Sequence, residues 1–231
     1  MNGHRLRRAV AGGVDSGAPV TVENISARKT GIYSGTPNTK SFTGCDFGAA
    51  FTGRVVVAII VGNDGATHSI GTVTIGGETA TELGYFWNGS RDAFVGIYAV
   101  FLDTGTTGTI TFNHNTWPNN SVLRVLSLSG VEDLTVDDIS EDSVSTINRS
   151  MDIPKDGINI TAICDEDSTS NSLSPVTDSI EFEDYWLSDG TTDIDLGMTY
   201  RLNGTGSDIT GSPCGFNNNG NTYSVVSVSF R

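Results

Sequence analysis

The sequence predicts an all-β protein: a single antiparallel β-sandwich, jelly-roll-like, with an extended N-terminal arm. Three observations carry this reading. The 231 residues include 28 Gly and 28 Thr but only three Lys, a composition that favours strands and turns over long helices. About ten apolar segments are short, rich in β-branched residues and bounded by turn residues. Several of them alternate with a period of two. The length suits one large all-β domain or two small ones, and strand signals that run through position 130 without a linker favour one. The arm comprises residues 1–41 and the sandwich residues 42–231.

The elements follow in order. Residues 1–40 show no sustained period and are punctuated by Gly12-Gly13, Gly17, Pro19, Gly35 and Pro37, so one short strand near Val20–Val22 is all that is expected there. Arg54–Val61 is an apolar run between Gly53 and Gly62-Asn-Asp-Gly65, the pattern of a buried strand. Thr72–Ile75, Gly76-Gly77 and Glu78–Leu83 form a hairpin, because paired glycines supply the positive φ of a tight primed turn. Ala93–Leu102, Thr109–Phe112 and Val122–Leu128 follow as short strands. Val131, Leu134 and Ile139 are roughly aligned for one short helix over Val131–Glu141.

The second half alternates more cleanly. Ile147, Met151 and Ile153 precede Pro154-Lys-Asp-Gly157, where Pro presets φ and Gly takes the left-handed position. The return strand places Ile158, Ile160, Ala162 and Cys164 on one face. Ile194, Leu196, Met198, Tyr200 and Leu202 share a face opposite Asp193, Asp195, Thr199 and Arg201, which reads as a half-buried strand with a wet outer side. Ile180, Phe182 and Trp186 mark another strand, and Tyr223–Phe230 is the last.

Charge is uneven. Residues 1–40 carry six basic and two acidic side chains, net +4; residues 1–130 have nine and eight, net +1; residues 131–231 have four and 19, net −15. The overall −14 argues against nucleic acid or an anionic membrane as the main partner. No run of 18 apolar residues is present to span a bilayer. Arg5, Arg7 and Arg8 are followed by an Ala-Val-Ala stretch too short for a signal-peptide core.

The search for chemistry yields no catalytic, cofactor-binding or metal residue to name. Cys164 falls on an apolar strand face, where a small core residue is expected. Cys45 and Cys214 fall in turn-like sequence, and His4, His68 and His114 lie far from all three. An odd number of cysteines is too few for a disulfide framework. No Gly-x-Ser-x-Gly, phosphate loop, dinucleotide fingerprint or His-Glu-x-x-His occurs, and zinc-finger spacing is missing. Asp165-Glu-Asp167, Asp189–Asp195 and Gly62-Asn-Asp-Gly65 offer oxygen ligands, yet none has the EF-hand spacing. Glu181, Glu183 and Asp184 with Tyr185 and Trp186 could line a glycosidase cleft, or be a polar strand face. Trp87 and Trp117 could stack on sugars or plug the end of a sandwich.

One stretch is familiar. Phe47-Gly-Ala-Ala-Phe51, Gly53-Arg-Val-Val-Val-Ala-Ile59, Thr72-Val-Thr-Ile-Gly-Gly-Glu-Thr-Ala-Thr81, Ile97-Tyr-Ala-Val100, Gly105–Phe112 and Leu126-Ser-Leu-Ser-Gly130 occur in an order that resembles β-sandwich virion proteins of tailed bacteriophages and prophages. Ile153–Ile160 and Tyr223–Phe230 match the second half of that pattern. The resemblance covers residues 42–231 and rests on turn glycines and buried strands. It implies a non-enzymatic virion structural protein without cofactor, a capsid decoration or cement protein that bridges coat subunits. A tail or fibre component, or a glycan- or receptor-binding sandwich, is the alternative. The partners it implies are the major capsid protein or tail proteins. Both faces of Val55–Val61 and of Phe94–Leu102 are apolar, and a two-sheet sandwich covers only one. The other needs the arm, a loop or a neighbouring subunit, hence an expected homo-oligomer.

Overall fold

The computed structural model describes residues 17–32, 39–63, 69–114, 120–144, 148–165, 173–188, 193–217 and 222–231. Every regular element among them is a strand, and every strand pairing is antiparallel. The first half supplies β1 (Thr21–Ile25), β2 (Lys29–Ile32), β3 (Thr39–Asp46), β4 (Val55–Asn63), β5 (Ile70–Ile75), β6 (Glu78–Thr79), β7 (Thr81–Asn88), β8 (Ala93–Phe101), β9 (Thr107–His114) and β10 (Asn120–Ser129). The second supplies β11 (Val136–Val144), β12 (Asn148–Ile153), β13 (Ile158–Asp165), β14 (Ile180–Ser188), β15 (Asp193–Leu202), β16 (Ile209–Gly215) and β17 (Tyr223–Phe230).

Sheet A has the order β1-β10-β4-β8-β7, with β2 also on β10; sheet B is β3-β9-β5-β6; sheet C is β11-β17-β13-β15-β14; sheet D is β12-β16. The all-β class is as the sequence predicts. The packing adds layers to that sandwich: sheet A is packed on one face against sheet C and on the other against sheet B, and sheets A and B come from residues 21–129 while C and D come from residues 136–230.

The sequence of β4 dictates this stacking. Val55, Val57, Ile59 and Val61 point into one core with Ile158, Ile160, Ala162 and Cys164 of β13. Val56, Ala58 and Ile60 point into another with Phe42, Val73, Ile75, Ile110 and Phe112 of sheet B. All seven are fully buried, and each Val or Ile contributes about 1.5–3 kcal/mol. The apolar backs of β4 and β8 are thus covered by the chain's own sheet B, and a neighbouring subunit is not needed for that.

Sheet C has a polar back. Asn159 Nδ2 donates to Ser227 Oγ (3.0 Å), Val228 O (3.0 Å) and Ser229 Oγ (3.1 Å), and Thr161 and Ser227 hydroxyls are 2.7 Å apart. Sheet D covers part of this face with Met151, Ile153 and Cys214. The outer side of β15 is accordingly dry in its middle, where Asp195 and Thr199 are buried, while Arg201 stays part exposed.

Other expectations are refined. The strand near Val20–Val22 is β1, and with β2 it ties residues 21–32 of the expected arm into sheet A. The Gly76-Gly77 turn forms with both residues at positive φ, 63° and 94°, joining Ile75 to Glu78. In the Pro154–Gly157 turn the left-handed residue is Asp156 (φ 58°). Gly157 serves close packing instead, since a Cβ there would lie 2.8 Å from Phe230 O. This turn joins two sheets, because β12 pairs with β16 while β13 pairs with β15 and β17. Where a helix was expected over Val131–Glu141 there is β11. Near its start three segments converge: Val20 N donates to Asp156 O (2.7 Å), Asp133 N to Arg231 O (3.1 Å), and Arg231 Nη2 is 3.2 Å from Glu132 Oε1. Ile147 and residues 1–16 lie outside the described residues.

Candidate functional site

The residues singled out for a sugar cleft lie together on β14, an edge strand bonded only to β15. A β-bulge between Glu181 and Glu183 adds a residue and resets the alternation. Phe182 and Tyr185 therefore pack toward the main core, while Glu183 is buried and Trp186 stays 37% exposed. Glu183 is engaged on both oxygens, with Arg28 Nη1 2.6 Å from Oε1 and Arg124 Nη1 3.2 Å from Oε2. The Arg28 guanidinium lies 3.2 Å from the centroid of the Tyr185 ring, a close cation–π contact. Arg124 Nη2 donates to Phe182 O at 3.0 Å.

Burial pushes the carboxyls of Glu181 and Asp184 up. Asp184 and Glu183 add to the effect on Glu181, and the N–H of Leu173 partly offsets it on Asp184. Two acids on opposite walls are what glycoside hydrolysis needs. Here the three acids share one strand, and the middle one is held by arginines. The arrangement suits a clasp between the sandwiches, because Arg28 follows β1 and Arg124 sits in β10 of sheet A. Sequence reasoning missed both arginines. The signal for Arg124 was a lone charge inside the apolar run Val122–Leu128; for Arg28 there was none, since it lay in the expected arm.

The remaining candidates are scattered. Cys45, Cys164 and Cys214 are buried thiols in three separate cores. Burial pushes the Cys45 thiol up and that of Cys214 to about 12, the reverse of what a nucleophile needs. His114 is buried beside Phe112, with ring centroids 5.9 Å apart. Asp165 and Asp195 face each other across β13 and β15; the Tyr223 hydroxyl donates to Asp195 Oδ2 (2.9 Å), and Arg91 Nε is 3.8 Å from Asp165 Oδ1. Among the described residues no group of three or more His, Cys, Asp or Glu could hold a metal ion. Trp87 is half-buried against the core between sheets A and B. His4, His68, Trp117, Asp64, Glu166, Asp167 and Asp189 lie outside the described residues.

A different kind of surface forms the outer face of sheet B. Ser41 pairs with Thr111, Thr111 with Thr74 and Thr74 with Thr79, so one row of hydroxyls crosses all four strands. Thr74 and Thr111 hydroxyls are 2.9 Å apart, and in the next row Thr39 Oγ1 donates to Asn113 Oδ1 at 2.8 Å. Period-two alternation puts these side chains outward while Phe42, Val73, Ile110 and Phe112 go inward. The sequence shows the threonines but not that four strands align them.

No protein-family model matches the chain, and neither a curated protein nor a solved structure does.

Proposed function

We propose that the chain is a non-enzymatic structural protein of a tailed-bacteriophage virion, a capsid decoration or cement protein that bridges coat subunits and so stabilises the assembled shell by mass action. The observation that carries the reading is the outer face of sheet B. In a protein of net charge −14 it offers rows of uncharged hydroxyls, and charge depletion is characteristic of the centre of protein–protein contacts. Sheet D faces the opposite way, roughly three sheet spacings of about 10 Å distant, so two neighbours can be met at once. The partners on this reading are the major capsid protein or tail proteins, and further copies of the chain. Arg5, Arg7 and Arg8 would steer the approach to acidic surfaces.

Quantitative mass spectrometry of purified particles tests the placement: a copy number that is a fixed fraction of the coat protein's supports decoration, a few copies per particle indicate the tail, and none refutes a virion role. Ser41→Glu with Thr111→Glu should reduce capsid binding at least tenfold at an unchanged melting temperature. Deleting residues 2–16 tests the basic segment without removing β1 and β2. Trp186, exposed beside Asp184 on the β14 edge, favours a second reading as a glycan- or receptor-binding module. A glycan array probed with the full chain and with Trp186→Ala distinguishes it.

A further inference from the structure

The strand orders of sheets A and C are the same list. Replacing β1, β10, β4, β8, β7 by β11, β17, β13, β15, β14 turns one into the other, and β3-β9 becomes β12-β16. Even the strand that sheet D lacks has a trace: where β5 lies on β9, Pro175 bridges Phe216 just beyond β16.

The irregularities repeat as well. A bulge follows Val22↔Leu128 in β1/β10 and Val136↔Phe230 in β11/β17. Another follows Glu82↔Tyr98 in β7/β8 and Glu181↔Thr199 in β14/β15. The register of β3/β9 and of β12/β16 also shifts once each, after Phe42↔Ile110 and after Met151↔Ser212, with the extra residue on β3 in the first pair and on β16 in the second. The central strands agree independently: Leu128 pairs with Val55 and Phe230 with Ile158, while Ile97 pairs with Ile59 and Met198 with Ala162. One set of equivalences satisfies all of these pairings. Bulges are specific structural features that local sequence must specify, and two coincidences at matching steps, on top of a shared strand order, are not expected of unrelated sandwiches.

The contact between the halves obeys the same relation. The bulge of β7 is met by β11, whose Glu141 Oε1 accepts the Tyr85 N–H at 2.7 Å. The bulge of β14 is met from beyond β1, by Arg28 on Glu183. Strand β4 lies against its own equivalent β13, as a two-fold axis running between them requires.

We infer that the chain is two copies of one sandwich fused in tandem about a pseudo-two-fold axis, and that the core between sheets A and C is an interface between two folding units. The partner that the face of sheet A fits is a second copy of the same fold, supplied here in cis. The face is too apolar to be left in water: Val55, Val57, Ile59, Val61, Val95 and Ile97 are all fully buried by sheet C.

The test uses the full chain with a protease recognition sequence inserted after Asp133, in the exposed connection before β11. After cleavage of the folded protein the two fragments should elute together as a 1:1 complex, and the melting temperature should rise with protein concentration, as it must for a bimolecular assembly. Unfolded in denaturant and diluted, they should recombine into the same complex. Fragments that separate or aggregate on cleavage, or that fail to recombine while the uncleaved variant refolds, overturn the inference. Should the insertion itself prevent folding, the same sequence placed after Glu132 provides the second variant.

Discussion

Arg54 and Asn203 close corresponding corners of the two sandwiches. The guanidinium of Arg54 is fully buried at the start of β4 and donates to six carbonyls, those of Phe47, Gly48 and Ala49 before β4 and of Leu102, Thr104 and Gly105 after β8. Asn203, after β15, donates through Nδ2 to Ile153 and Pro154 before β13 and to Ser207 before β16. One side chain in each half joins the same two connections.

Removing either donor strands buried acceptors. Arg54→Ala should destabilise by about 4 kcal/mol, lowering the melting temperature by roughly 10 °C for a chain of this size. Arg54→Lys should recover less than half of that, because one ammonium cannot span both loops. Asn203→Ala should cost about 2 kcal/mol. Denaturant titration of the three variants checks the order.

Glu183 is the keystone of its clasp. Glu183→Ala leaves two arginines facing each other at a buried position and should cost about 3 kcal/mol. Arg124→Ala should cost less, and Arg28→Ala least, because Arg28 is part exposed. A double-mutant cycle between Arg124 and Glu183 should give a coupling above about 1 kcal/mol; a coupling near zero would remove the clasp from the account.

Stability should rise on mild acidification. Burial holds the Glu141, Glu181 and Asp184 carboxyls above their ordinary values, with Glu82 adding to the effect at Glu141 and the Tyr85 N–H opposing it. A carboxyl raised in the folded state contributes stability fully below its unfolded value, and that contribution is lost as pH rises through the folded value. Glu23, lowered by hydrogen bonds from Ser129 and Thr21, acts oppositely and only at lower pH. The melting temperature should therefore be higher at pH 5.5 than at pH 7.5. Glu141→Gln keeps an acceptor for Tyr85 and should narrow that difference, measurable by scanning calorimetry at both values.

The thiols should be silent in the native protein. Cys45, Cys164 and Cys214 are buried in separate cores, so a chromogenic disulfide reagent should react only on unfolding, with three equivalents, and a reductant should leave the melting temperature unchanged. Fast labelling in native buffer would mean that one of these cores opens.

Local signals were legible in the sequence and layered ones were not. Gly76-Gly77 specifies its turn by itself, and the alternation of Ile158, Ile160, Ala162 and Cys164 names its own inward face. The cover over Val56, Ala58 and Ile60 depends on sheet B, whose strands come from distant segments. Bulges also disguise strands: the one between Val136 and Asp138 leaves Ile139 on the same core as Val131 and Leu134, an alignment that reads as a helix. The clasp went unseen because Arg28 and Glu183 are 155 positions apart. The tandem relation went unseen because it preserves where strands bend more than which residues they contain.

The corner where Val20 meets Asp156 and Asp133 meets Arg231 has a consequence for the order of the gene. The outer ends of both sandwiches and the segment that links them lie side by side, so the order of the halves along the polypeptide is nearly arbitrary. A circular permutant that begins at Leu134, runs to Arg231 and continues through a short Gly-Ser bridge into Gly17 breaks no sheet and no core.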